Sequence, residues 1–236
     1  MKKKTIIIFS LLFSIVLCAY IYINDMYKSE EIVKTYLTSN KELHISEIKN
    51  GYYFDHDGEN KNAIIFYPGA KVEYTAYAPL MNNLANNGID CFLIKMPLNF
   101  AFLNINAADD IINNYKYDNY YLAGHSLGGV AASSYTIKNS QKVKGIILLA
   151  SYSTKKFDDK TSILSIYGDM DGVLNIDSYN KNKRNFNDDV TEVVLNGANH
   201  AGFGYYGNQN GDKESTISKE EQQKLTIDAI TNFIVN

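Results

Sequence analysis

The chain has 236 residues, enough for one domain with a full core, and 45% hydrophobic with 21% charged residues is the composition of a globular protein. A net charge of -3 and a pI near 5.8, with no basic stripe interleaved with aromatics, exclude the electrostatic footprint of a nucleic-acid binder. Only two cysteines occur, Cys18 and Cys91, which excludes a disulfide framework and a thiolate metal site.

Behind Lys2, Lys3 and Lys4, residues 5–23 carry no charge. As a helix rising about 1.5 Å per residue they reach about 28 Å, enough to cross a bilayer. The lysines in front and the mixed flank of Asp25, Lys28, Glu30 and Glu31 behind predict a single span with the N-terminus in the cytoplasm and the domain outside. A cleaved signal peptide is the main alternative, although no small-residue cleavage site is clear. Lipidation at Cys18 is a second alternative, with bulky Leu17 where a small residue is expected. Residues 1–23 are therefore read as anchor or signal, residues 24–42 as a helical or loose stalk, and residues 43–236 as the folded domain.

Within that domain, LHISEIKNGYYFDHDG alternates with period two around Asn50-Gly51, which predicts a hairpin closed by a type I′ turn. NAIIFYPG is an apolar strand ending at Pro68-Gly69, YAPLMNNLANNG a helix stopped at Gly88, and IDCFLIKMP a second buried strand. The apolar PLNFAFLNI that follows is either a buried connection or a wall of an acyl pocket. INAADDIINNYK is a helix, NYYLAG a strand, and VAASSY the start of another helix. KGIILLAS, SILSIYG and TEVVLNG are three further strands, and EEQQKLTIDAITNFIV is a closing amphipathic helix. Continuous apolar strands alternating with helices predict an α/β fold, a mostly parallel sheet with helices on both faces.

Four segments carry chemistry. GHSLGG, residues 124–129, joins a strand to a helix as G-x-S-x-G, the turn that exposes a nucleophilic Ser126 at the head of a sheet. The competing reading is a glycine-rich packing turn. YGDMDGV runs from a strand into Asp169 and Asp171, where an open α/β sheet places its site; a turn at Asp171-Gly172 is the plain alternative. The glycine of DMDGVLNID is misplaced for an EF-hand and no closing glutamate fits, so a calcium loop is not expected. GANHAGFG puts His200 just past the last apolar strand, whereas His44 and His56 lie in the hairpin region and His125 inside the elbow. Serine, acid and histidine in that chain order, each just past a strand, suit a hydrolytic triad. FYPGAKVEY follows an early strand and can supply the second oxyanion donor from the N–H of Ala70, or of Lys71, beside that of Leu127. The Gly/Asn-rich stretch over 201–219 is long enough to shape an entrance.

Taken together, GHSLGG, YGDMDGV and GANHAGFG, with YPGAKVEYTAYAPL ahead of them, resemble the α/β-hydrolase superfamily, above all its small bacterial membrane-anchored or secreted members without a cap domain. The resemblance covers residues 40–236. It implies an α/β-hydrolase fold and, through a G-x-x-D pattern mapping onto Gly168 and Asp171, points to Asp171 rather than Asp169 as the acid. Dienelactone hydrolases are relatives with a cysteine nucleophile, so Ser126 points to ester chemistry. The resulting expectation is a serine carboxylesterase with triad Ser126, Asp171 and His200, oxyanion donors Leu127 and Ala70, and no metal or organic cofactor. The expected partners are a small ester or acyl substrate and the membrane, the latter through residues 5–23, with no nucleic acid. An acyltransferase or peptidase on the same triad, and a surface binding module on the same fold, are the alternatives. Only about ten residues separate the strands near Ser151 and Ser162, so no lid is expected and the site should be open.

Overall fold

A computed structural model describes residues 2–58 and 60–235. Helix α1 (Lys2–Asn24) is separate from the core: the stretch Lys3–Tyr22 has a mean hydropathy of 2.4 and none of it is buried. An apolar surface of that length is unfavourable in water. It is long and apolar enough to cross a membrane, and a signal sequence has the same character.

Residues 25–42 do not form the free stalk expected from their polarity. Tyr27 donates its N–H to Lys71 O at 2.8 Å and accepts from Glu73 N at 2.9 Å, forming a parallel bridge beside Val72. The N–H of Glu30 is bonded to Tyr205 O, and its carboxylate to Lys219 and to the N–H of Gly207. A 3-10 turn over Glu31–Leu37 then buries Val33 against the domain. Of the anchoring residues, Val33, Tyr36 and Leu37 keep an i, i+3, i+4 spacing but span barely one turn, and Tyr27 stands outside it, so a polar composition conceals them.

The domain is an eight-stranded sheet of β1 (Leu43–Ile48), β2 (Gly51–His56), β3 (Asn62–Tyr67), β4 (Asp90–Ile94), β5 (Asn119–His125), β6 (Gly145–Leu149), β7 (Ser162–Gly168) and β8 (Val190–Leu195). Their order is β1-β2-β4-β3-β5-β6-β7-β8, with β2 antiparallel to both of its neighbours, β1 and β4, and every other pair parallel. The hairpin forms, but with a different turn. Gly51 pairs with Ile48, and the turn residues Lys49 and Asn50 both avoid positive φ, which a type I′ turn requires. Gly51 is needed for a different reason: it pairs across to Ile94 of β4, and a Cβ there would overlap the carbonyl oxygen of Leu93.

Five helices cover the sheet: α2 (Ala78–Asn86), α3 (Ala108–Asn114), α4 (Leu127–Lys138), α5 (Ile176–Asn182) and α6 (Lys219–Val235). Alternate residues of each strand feed opposite faces. Ile64, Phe66, Leu164 and Ile166 pack with α2, α6 and Val33, while Ala63, Ile65, Ile146 and Ile163 pack with α3, α4 and Tyr179 of α5. The sequence reading has no element at α5, because IDSYNKN has only Ile176 and Tyr179 as apolar residues and so shows no apolar period. From β3 the chain passes first to β4 on one side and later to β5 on the other, so the loops leaving β3 and β5 open a crevice at the sheet's C-terminal edge. A doubly wound sheet binds its ligands at such a switch point. Among the described residues no cap domain covers that edge.

Candidate active site

Ser126 stands between the last residue of β5 and the first of α4 with φ 52° and ψ -126°. A residue with a Cβ held there costs on the order of 1–3 kcal/mol, so its surroundings must enforce the conformation. The N–H of Ser126 donates to Leu149 O at 2.9 Å, and its carbonyl accepts from Gly129 N at 3.0 Å and from the Ser151 hydroxyl at 2.7 Å. The flanking glycines permit close approach. A Cβ on Gly124 would lie 2.6 Å from Gly128 C and Gly129 N, and one on Gly128 would overlap the carbonyl oxygens of Tyr67 and Pro68. The first turn of α4 is thus pressed directly onto the loop after β3.

The two candidate acids diverge. Asp169 accepts the Gly197 N–H at 2.6 Å and so joins the loop after β7 to the loop after β8. Asp171 lies with Oδ2 2.8 Å from His200 Nδ1, while its Oδ1 accepts the N–H groups of Val173 and Leu174 at 2.8 and 2.7 Å. Both partners are almost fully enclosed, at 1% and 2% side-chain exposure for His200 and Asp171. With Nδ1 given to the carboxylate, Nε2 is the nitrogen available for proton transfer. Among the described residues Nε2 has no hydrogen-bond partner, so Ser126 Oγ is not bonded to it in this structure. Unliganded hydrolytic sites often have long serine–histidine contacts that tighten around substrate.

The loop after β3 offers two amides near the elbow. The N–H of Lys71 is already donated to Asn99 O at 3.0 Å, which leaves that of Ala70. The N–H of Leu127 belongs to the first turn of α4, where a helix has no internal acceptor for it.

Several groups that the motifs do not mark hold this constellation. The Tyr77 hydroxyl, at the start of the segment leading into α2, accepts the Gly69 N–H at 3.2 Å and lies 2.8 Å from His125 Nδ1. Enclosure, and then the neighbouring His200 ring at 4.4 Å, push the pKa of His125 well below its ordinary value. Asp212 accepts from Gly172 N at 2.9 Å and Ala201 N at 2.8 Å, bracing the acid loop against the histidine loop. Gln222 of α6, wholly buried, accepts from Asn199 N and donates to Asn199 O at 2.8 Å. Residues 201–206 of the stretch over 201–219 are packed inward, with Phe203, Tyr205 and Tyr206 buried, and residues 207–219 are half-buried or exposed. An isolated acid in a Gly/Asn loop and a glutamine on a polar helix carry no spacing signal.

Two expectations follow. Tyr77→Phe leaves the enclosed Gly69 N–H without an acceptor and should lower stability by about 1–3 kcal/mol in urea unfolding at an unchanged m-value. His125 is kept neutral on folding, so below its ordinary pKa of 6.5 the unfolded chain binds the extra proton and the folded one does not. Stability should fall by up to about 1.4 kcal/mol for each pH unit below about 6.5, and His125→Asn should flatten that slope in the same urea titrations.

Comparison with known proteins agrees with this architecture. A sequence model described as the alpha/beta hydrolase family matches residues 63–224, more than half of the chain. Among solved structures, Est1E from Butyrivibrio proteoclasticus superposes with a TM-score of 0.56 at 14% identity, over 83% of this chain and 100% of that one. A dienelactone hydrolase from Anabaena variabilis superposes with a TM-score of 0.59 at 12% identity, over 81% and 98% of the two chains. Carboxyl esterase 2 from Tuber melanosporum gives 0.56 at 12% identity, over 89% and 90%. No curated protein matches by sequence. At these identities the superpositions speak for the fold, and the matched family model places the chain: it belongs to the alpha/beta hydrolase family.

Proposed function

We propose that the protein is a serine carboxylesterase, tethered by α1 with its domain outside the cytoplasm. The observation that carries the reading is the enclosed Asp171–His200 pair, whose Nε2 is unbonded and whose ring lies 4.4 Å from that of His125, the residue before a serine held in the nucleophile-elbow conformation. In the first half-reaction Ser126 Oγ bonds to the ester carbonyl carbon while His200 Nε2 takes the hydroxyl proton. The N–H groups of Leu127 and Ala70 hold the oxyanion. His200 then returns the proton to the departing alcohol as the C–O bond breaks, leaving an acyl-serine. In the second half-reaction water gives its proton to His200 and its oxygen to the acyl carbon, and Ser126 recovers the proton as the acid leaves. Asp171 orients the imidazole and stabilises its charged form throughout. Side chains, backbone amides and water supply every step.

Esterase and dienelactone hydrolase neighbours support a hydrolase of this general kind. The three lysines ahead of α1 and its unburied apolar surface support the tether. The open edge suits an ester that is small or presented at a surface.

A chain-length series of p-nitrophenyl esters, hydrolysed by the full chain in detergent, tests the reading. Ser126→Ala and His200→Ala should each lower kcat by about 10^4–10^6-fold, and Asp171→Asn by about 10^4-fold, with KM little changed. Hydrolysis by Ser126→Ala at the wild-type rate would refute it.

A further inference from the structure

We infer that the rim of the site is a membrane-docking surface and that the substrate is an acyl ester carried by a bilayer lipid. The inference rests on the esterase reading and on α1 being retained, and it names the substrate class of that same site.

The C-terminal end of α1 meets the catalytic edge of the sheet. Tyr22 donates its hydroxyl to Leu98 O at 3.2 Å, and Met26 Sδ accepts from the Asn99 side chain at 2.8 Å. Asp25 forms an ion pair with Lys71, the residue beside Ala70, and the Lys71 ammonium lies 5.6 Å from the Tyr22 ring centroid. The place where the chain leaves α1 is therefore also the place where the loops after β3 and β4 come together. Tyr20 and Tyr22 stand in the last turns of α1, the level at which tyrosines mark a membrane–water boundary.

That edge carries apolar side chains with nothing covering them. Leu98 is 56% exposed, Leu103 55%, Phe102 36% and Leu127 43%. The stretch after β4 is thus not simply a buried connection. Ala101 and Ala107 go inward, and the larger Leu98, Phe102 and Leu103 point out. Leu98 and its neighbour Asn99 both hold positive φ, at 50° and 49°. Two consecutive L-residues there cost about 1–2 kcal/mol each, and local strain of this kind gathers at functional surfaces. The 3-10 turn over Ala101–Ala107 packs against α4, the helix that begins at Leu127 directly after Ser126. Ile176, 46% exposed at the start of α5, stands past the end of β7 on the same edge.

Exposed apolar side chains grouped along one uncapped edge are unfavourable in water. For a domain held against a bilayer by its own tether, the same side chains can dip about 5–10 Å into the headgroup and acyl boundary, where lipid ester bonds lie. The continuity of the rim with α1 singles out the bilayer as its occupant, above a protein partner or a second copy.

The chain has no tryptophan, so one introduced at the rim is a lone reporter. In full-length protein in vesicles of phosphatidylcholine and phosphatidylglycerol, with the phosphatidylcholine brominated near the acyl carbonyl, Leu103→Trp should be quenched at least about twofold more than Val190→Trp, an exposed position at the start of β8, the end of the strand away from the catalytic edge. Equal quenching at the two positions would overturn the inference. In the same vesicles the combined variant Leu98→Asp, Phe102→Asp, Leu103→Asp should cleave embedded diacylglycerol about tenfold more slowly and dissolved p-nitrophenyl acetate within about twofold of wild type. Equal loss on both substrates would overturn it, as would wild-type protein that cleaves the dissolved ester and not the embedded one. Wild-type protein that cleaves neither would refute the esterase reading itself, and this inference with it.

Discussion

The junction between β5 and α4 is the constraint on which the rest of the site depends. A serine with φ 52° is unfavourable by itself, and it persists because its N–H, its carbonyl and the glycines on either side are all engaged. The same contacts set the oxyanion side. Gly128 can lie against Tyr67 and Pro68 only without a side chain, and that approach brings the loop after β3 alongside the first turn of α4. One close packing contact therefore positions Ser126 and the amides of Ala70 and Leu127, the proposed nucleophile and oxyanion donors, together, and a displacement of either loop would be felt by both.

Asp171 and His200, the proposed acid and base, come from two other loops and need their own bracing. Asp171 is satisfied by two backbone N–H groups in addition to His200, which fixes the carboxylate before the imidazole is considered. Asp169 and Asp212 tie the β7 and β8 loops to each other from opposite sides, and Gln222 holds Asn199 directly before the histidine. On the other flank the Tyr77 hydroxyl links the loop after β3 to His125, beside which the His200 ring lies tilted by 50°. Enclosed polar groups are costly unless paired; both Asp171 oxygens are paired here, and the ring nitrogens beside them without a partner among the described residues are His125 Nε2 and His200 Nε2.

The sheet and the elbow were legible in the sequence because continuous apolar runs and a G-x-S-x-G turn are local signals: each of β3 to β7 lies where its run predicts. Asp171 and His200 were legible as polar residues just past a strand. The choice of Asp171 over Asp169 needed the family pattern, since both lie at the same strand end and differ only in which loop they face. The supporting groups were not legible. Tyr77, Asp212 and Gln222 act through contacts made by chain folding back over long separations, and their local spacing resembles any helix or loop. Residues 25–42 misled for the opposite reason, since charge on the surface of a packed segment has the same composition as a free tether.

A single geometric fact connects the tether to the chemistry: α1 ends at the crevice where the loops after β3 and β4 meet, so a domain held to a bilayer would hold its catalytic edge toward it. The central claim, however, concerns Ser126. The most direct measurement is the site and rate of fluorophosphonate labelling of the full chain, read by peptide mass spectrometry. A nucleophile activated as described gives one adduct, on Ser126, formed about 10^3-fold or more slower in His200→Ala. An adduct on another residue, or an unchanged rate in His200→Ala, would contradict it.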